Sequence, residues 1–364
     1  MNSADPVLAL VRPEILALAP YSSARKESKG GRIWLDANEN PETPSAHQPL
    51  LNRYPDPQPP ALIEKLAALY GVSPAQVLVT RGSDEGIDLL LRTFCRAGQD
   101  AIITTPPTYG MYTVAAGIQN ARVVSVPLIL EKNFSLDTDA VIAAGLAAPK
   151  PADAGEGRVK LVFLCSPNNP TGQLLDRASV LRIVKTLATR AVVVVDEAYV
   201  EFASQPSLAT EIAAHPNLVV LRTLSKAYGL AGARVGTTLA SPSVIAILQK
   251  VIAPYPVPVP VLNAAITALS IEGLAAAGES VRQLTSERQL LLAALPLFSA
   301  VKRVWPSDAN YILIQVDNST RVMTAGRAQG VIWRDRSKDV PNTIRITVGS
   351  ADENNVTQEI LSRV

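Results

Sequence analysis

The chain is poor in the residues on which several classes of function depend. It has two cysteines in 364 residues, Cys95 and Cys165, far apart and flanked by apolar side chains. They exclude a disulfide framework and read as reduced core thiols, since neither has a basic sequence neighbour to make a reactive thiolate. Histidine is as scarce: His47 and His215 stand alone in polar stretches beside proline, so they assemble no metal-ligand cluster. Net charge is nearly absent, +2 from 34 basic and 32 acidic residues, and no Lys/Arg cluster stands out. That speaks against a nucleic-acid partner. Apolar runs are short and broken by charge or proline, so no membrane span is expected. Asp5, Arg12 and Glu14 interrupt the first residues, unlike a secretory leader. A cytoplasmic protein is the expectation.

What is present is a large core's worth of apolar residues, 48% of the chain, and 28 prolines, many directly after strand-like runs. From Val77 the pattern alternates strand and helix, with strands at 77–80, 101–104, 122–126, 160–165, 191–195, 218–221 and 235–240. Short, near-continuous Val/Leu/Ile strands between helices predict an α/β fold with a mostly parallel sheet covered on both faces. Functional side chains are then expected at the carboxyl ends of the strands. After the proline-dense stretch 253–260, read as a linker, a long helix over 261–295 and the alternating strands 311–315 and 343–347 predict a smaller α+β domain with one exposed sheet face. The domain reading is 48–252 for the large domain, and 1–47 with 253–364 for the small one, its N-terminal arm packed upon it. A short strand is expected at Ile33–Asp36, and 147–158 reads as a surface insertion.

Chemistry concentrates at four places. The segment Thr223-Leu-Ser-Lys-Ala-Tyr-Gly-Leu-Ala-Gly-Ala-Arg234 delivers Lys226 from a buried strand into a loop of small residues. Partial desolvation there lowers a lysine's pKa and frees its amine as a nucleophile, while Ser225 and Arg234 suit a phosphate. A lysine with a phosphate anchor is what pyridoxal 5′-phosphate (PLP) requires. Gly82-Ser83-Asp84 opens a helix after a strand, which offers free N–H groups to a phosphate and is equally an ordinary capped helix start. Ser166-Pro-Asn-Asn-Pro-Thr-Gly172 holds the Asn169 amide at a strand end, as would a plain surface turn. Asp196 ends an apolar strand, where it is the partner of a buried cation such as a protonated ring nitrogen, or else a helix N-cap or a core salt-bridge residue; Tyr199 follows three residues later. Asn169, Asp196, Lys226 and Arg234 are spaced by 27, 30 and 8 residues. One strand-plus-helix unit takes about 30 residues, so the first three fall at one edge of one sheet.

These residues carry a family resemblance. The matching pieces include Asp36-Ala-Asn-Glu-Asn-Pro41, Arg53-Tyr-Pro-Asp-Pro-Gln58, Arg81-Gly-Ser-Asp-Glu-Gly86, Pro106-Pro-Thr-Tyr-Gly-Met-Tyr112, Asp196-Glu-Ala-Tyr199, the lysine segment, Trp333-Arg-Asp335 and Ile344-Arg-Ile-Thr-Val-Gly349. They run in order along nearly the whole chain, which resembles fold-type-I PLP-dependent transferases of the class-II aminotransferase group, nearest its histidinol-phosphate branch. The resemblance implies that Lys226 binds PLP covalently and moves the substrate's Cα proton, and that Asp196 pairs with the pyridine nitrogen. Asn169 and Tyr199 would contact the ring's phenolic oxygen and Tyr109 the ring face. Gly82, Ser83, Asp84, Ser225 and Arg234 would hold the phosphate. Tyr54 would reach the cofactor of a neighbouring subunit, implying a homodimer with shared sites. Arg334 and Arg345 would clamp the substrate's anion, with Tyr21 and Asn38 at a lid. Trp333 would add bulk beside Arg334. The implied reaction is amino exchange between L-histidinol phosphate and glutamate/2-oxoglutarate. The alternatives are L-threonine O-phosphate decarboxylation, broad aromatic transamination and a non-catalytic PLP-binding regulator.

Overall fold

The computed structural model describes residues 5–19, 35–42, 51–147 and 157–364. A seven-stranded sheet is built from β1 (Val77–Thr80), β2 (Ala101–Thr104), β3 (Arg122–Ser125), β4 (Val159–Cys165), β5 (Val192–Asp196), β6 (Leu218–Thr223) and β7 (Gly236–Leu239), in the order β1-β7-β6-β5-β4-β2-β3. Neighbours are parallel except β7, which runs antiparallel to both β1 and β6. A parallel partner needs a crossover, usually helical. The 224–235 connection instead turns back with only a 3₁₀ turn, Ala231–Ala233, so the lysine segment is a return loop at the carboxyl end of β6.

Apolar side chains pack on both faces. One face takes α1 (Pro60–Tyr70), α4 (Thr138–Leu146) and α5 (Arg177–Thr186). The other takes α2 (Gly82–Phe94), α3 (Met111–Ile118) and α6 (Pro242–Val251). The central strand β5 is four valines, Val192 to Val195, each fully buried. At about 1.5–3 kcal/mol per buried valine side chain, this run can carry a carboxylate into the interior at its end. The N-terminal arm departs from expectation. Val7, Leu10 and Val11 join the α2 and α6 core of the large sheet, not the small lobe, because their apolar positions match that exposed helix seam. Of the strand expected at 33–36, Leu35 and Asp36 are not in a strand and the rest lies outside the described residues, as do Tyr21, His47 and 148–156.

The linker reading of 253–260 is half right. Helix α7 (Val259–Ala268) starts inside it, with proline at its first turn, where the missing N–H costs nothing. The long helix then breaks at Leu269–Ser270, where Ser270 caps α8 (Ile271–Ala294) by accepting from Gly273 N at 3.1 Å. The second sheet is wholly antiparallel: β8 (Val301–Val304), β9 (Tyr311–Val316), β10 (Arg334–Asp335) and β11 (Thr343–Thr347), in the order β10-β11-β9-β8. Ile312, Ile314, Ile344 and Ile346 form one core with the helices α9 (Ser319–Ala328) and α10 (Ala351–Ser362). The opposite face, expected in solvent, is covered: Tyr311, Leu313 and Thr343 are at most 2% exposed. It is turned onto the large lobe, and Leu313 belongs to that lobe's core. Hydrogen bonds pin the loop 166–174 to the small lobe: Tyr311 Oη donates to Asn168 O at 2.8 Å, Asp308 N to Gly172 O at 2.7 Å, and Gln173 Nε2 to Pro306 O at 3.0 Å. Among the described residues, no single helix is long and apolar enough to cross a membrane.

Candidate active site

A cavity of about 570 Å³ opens at the carboxyl ends of β4, β5 and β6, roofed by the inner face of the small sheet. Ser83, Asp84, Tyr109, Asn169, Asp196, Tyr199, Ser225, Lys226, Arg234, Arg334 and Arg345 all line it. The sequence points to each of them, and they converge because strands, loop and small lobe each deliver their ends to the same space. Gly82 stands just behind the wall. Three do not join: Tyr21 lies outside the described residues, Asn38 is exposed away from the cavity, and Tyr54 is half exposed and stacked on Tyr255 at 4.5 Å.

One end is a cradle of donors. The first N–H groups of α2 have no partner within the helix and aim outward with its dipole. Beside them Arg234 Nη1 donates to Ser225 Oγ at 3.2 Å, and Nη2 pairs with Asp84 Oδ2 at 3.1 Å. Glycine is required here. Gly82 has φ of 77°, and a Cβ on it would stand 2.5 Å from Arg234 Nη2. A Cβ on Gly236 would lie 2.3 Å from the Gly82 backbone.

The floor is Asp196, 2% exposed at the end of the valine strand. Burial pushes its carboxyl up to about 6, against the pull of its hydrogen bonds. Tyr112 Oη donates to Oδ2 at 2.8 Å and Ala198 N to Oδ1 at 3.2 Å. Its neighbour Glu197 faces the other way and accepts from Arg222, which also bonds Glu201 at 2.7 Å. The core salt bridge considered for Asp196 thus belongs to Glu197, and Asp196 has no cationic partner among the described residues.

Lys226 projects into the cavity, its Nζ 5.6 Å from the centre of the Tyr199 ring. Burial, then the Arg345 and Arg234 cations, lower its pKa, opposed by Asp84 and Asp196. It makes no ion pair among the described residues. Asn169 Nδ2 reaches Tyr199 Oη at 3.4 Å, and its Oδ1 accepts from Arg345 Nη1. Tyr109 lines the wall with its hydroxyl on Asp84 Oδ1 at 2.9 Å.

At the far end stand arginines of the small sheet. Arg334 and Arg345 are direct cross-strand partners. Like charges so placed repel unless an anion joins them. Arg345 Nε is buried without a partner, and its guanidinium lies 5.1 Å from the Tyr311 ring centre. Trp333 is not beside them: its indole is buried in the small-lobe core against Gly326, since strand alternation sends it opposite to Arg334. The sequence patterns do not single out two residues that bear on the site: Tyr112, fully buried behind the cavity and bonded to Asp196, and Arg336, a cavity residue two positions beyond Arg334, the strand period that puts both on one face.

The comparisons agree with this geometry. The family model for aminotransferase class I and II matches residues 32–363. A histidinol-phosphate aminotransferase of Stenotrophomonas maltophilia is 46% identical over 96% of this chain and 95% of its own length. One from Escherichia coli is 45% identical over 94% of each chain. In fold, the chain resembles a histidinol-phosphate aminotransferase of Sinorhizobium meliloti solved with pyridoxal-5′-phosphate, at a TM-score of 0.73 and 24% identity, over 85% of this chain and 82% of that one. With a lysine and a buried aspartate meeting at the ends of a mixed sheet, and a family match spanning nearly its whole length, this chain belongs to the class I and II aminotransferases, a PLP-dependent family.

Proposed function

We propose that this enzyme uses PLP to exchange an amino group between L-histidinol phosphate and 2-oxoglutarate, giving imidazole-acetol phosphate and glutamate, as a step in histidine biosynthesis. The observation that carries the reading is one cavity holding Lys226 and Asp196, with an anion cradle at one end and arginines at the other. The substrate follows the name borne by relatives of about 45% identity.

The residues fit PLP. Asp196, buried and without a cation among the described residues, suits a protonated ring nitrogen. The α2 N-terminus, Ser225 and Arg234 suit its phosphate, and the two glycines leave that cradle free of side chains. Asn169 and Tyr199 suit a phenolic oxygen, and Tyr109 a ring face. When bound, PLP supplies an aldehyde for amine exchange and an electron-withdrawing ring that acidifies the substrate's Cα–H.

The chain's own groups do the rest. Lys226 Nζ, its pKa depressed, acts as nucleophile and then takes and returns the proton at Cα. Asp196 keeps the proton on the ring nitrogen. Arg345 and Arg334 grip the anion of each substrate in turn, since a guanidinium fork accepts phosphate or carboxylate. The enzyme works as a homodimer in which Tyr54, turned away from its own cavity, serves the site of a second copy; Tyr21 and Asn38 belong to the lid.

Single-turnover half-reactions with histidinol phosphate, phosphothreonine and phenylalanine test the reading. Histidinol phosphate is expected to convert the bound cofactor fastest, with 2-oxoglutarate restoring it. Release of CO₂ from phosphothreonine without amino transfer would sink the proposal.

A further inference from the structure

The arginine end of the cavity holds more positive charge than a carboxylate needs. Arg334 and Arg336, two residues apart along β10 and its continuation, share one side of the sheet edge. The ladder persists there: Arg336 N donates to Thr343 O at 2.9 Å, beyond the Arg334–Arg345 pair. All three arginines line the cavity. Cross-strand and diagonal neighbours stand within about 8 Å of each other. Among the described residues, one carboxylate forms an ion pair with them, Asp339 Oδ2 at 2.7 Å from Arg336 Nε; Asp335, beside Arg334, is engaged by Ser337 N. Among the described residues, neither Arg334 nor Arg345 has an ion pair. Arg336 Nε is buried and, among the described residues, has Asp339 as its one partner, an ion pair without a well-formed hydrogen bond. Its side chain is 19% exposed, so it is neither a solvated surface arginine nor a satisfied core one.

We propose that Arg336 is the specificity residue for a phosphate monoester, the third fork that makes this end a dianion site. The inference rests on the reading above and assigns the discrimination between its two substrates. Three cations and one carboxylate leave two positive charges. A phosphate monoester carries about −1.5 to −2 at neutral pH and three acceptor oxygens, which matches that excess. A carboxylate carries −1 and two oxygens, which Arg334 and Arg345 saturate. Asp339 then holds Arg336 aside when the smaller anion is bound and yields it to the larger one. Burial and the two neighbouring guanidiniums disfavour the charge on Arg336, with Asp339 opposing them, as in a site that awaits a further anion.

The test compares parent, Arg336→Gln, Arg336→Lys and Asp339→Asn as holoenzymes. It measures kcat and KM for histidinol phosphate, unphosphorylated L-histidinol and glutamate. Losing a bidentate contact to a charged group costs about 10- to 100-fold in affinity. For Arg336→Gln that loss is expected in KM for histidinol phosphate, falling at least tenfold harder on it than on glutamate or L-histidinol. Arg336→Lys, which keeps the charge without the fork, should fall between. Asp339→Asn removes the competing carboxylate, so its KM for histidinol phosphate should stay level or drop. If Arg336→Gln and Asp339→Asn both weaken all three substrates alike, the pair is merely structural and the proposal is overturned; an unchanged preference in Arg336→Gln overturns it too. A parent that turns over glutamate but shows no preference for histidinol phosphate over L-histidinol defeats the substrate reading itself, and Arg336 with it.

Discussion

Replacing Tyr112 with phenylalanine removes a single oxygen and spares the ring, which stays stacked on Phe163 at 4.8 Å. What is lost is the 2.8 Å bond to Asp196. A hydrogen bond to a charged group contributes about 1.5–3 kcal/mol, and a pKa unit corresponds to about 1.4 kcal/mol. Asp196, already raised to about 6 by burial, should therefore rise by roughly one to two units more. A carboxyl whose folded pKa lies above its unfolded value stabilises the fold at low pH, and that contribution drains away as pH climbs through the folded pKa. In the parent the drain is complete not far above pH 6; in the variant it continues to roughly pH 7–8. Cys165 and Tyr199, both pushed up by burial, stay neutral across that window. Melting of the cofactor-free proteins between pH 5 and 9 should show a deficit of Tyr112→Phe that widens as the solution becomes alkaline. PLP affinity at pH 7 should fall about tenfold relative to the parent, with the gap closing toward pH 9. A deficit that is flat with pH, together with unaltered PLP affinity, would refute a charge-holding role for Tyr112.

Lys226→Ala should abolish turnover and the visible absorbance of bound PLP; full activity would end the proposed chemistry. Arg345→Ala should weaken amino donor and acceptor together, by about 10-fold or more each, and unchanged KM values for both would remove it from the clamp. Tyr54→Phe should loosen PLP while gel filtration still reports a dimer, whereas equal cofactor affinity would contradict sharing between subunits. Gly236→Ala forces a methyl to within 2.3 Å of the Gly82 backbone. It should lower stability by roughly 1–3 kcal/mol and weaken inorganic phosphate as a competitor of PLP, and a variant matching the parent in both would discredit the cradle.

Much of this is legible in the sequence because the large lobe is built from short repeating rules. Four buried valines followed by Asp196, or an apolar strand followed by small residues around Lys226, state their place at a strand end without help from tertiary context. Arg345 is legible for the same reason, as Ile344 and Ile346 announce the opposite face. Less legible are features decided between lobes. The inner face of the small sheet carries Tyr311, Leu313 and Arg345, a mixture that reads as half-solvated until the large lobe is seen covering it. Arg336 is hidden because a two-residue strand such as β10 gives too little periodicity to read. The antiparallel turn of β7 and the break at Ser270 depend on loop geometry and a single cap, which residue patterns register weakly.

The hydrogen bonds that fasten the 166–174 loop to the small lobe have a mechanical consequence. Asn169, assigned to the ring side in the proposed function, and Arg345, assigned there to the substrate's anion, are bolted to one chassis. Any rocking that admits or expels substrate must carry both together and hinge elsewhere, so the spacing between the two grips acts as a ruler that stays constant through the working cycle.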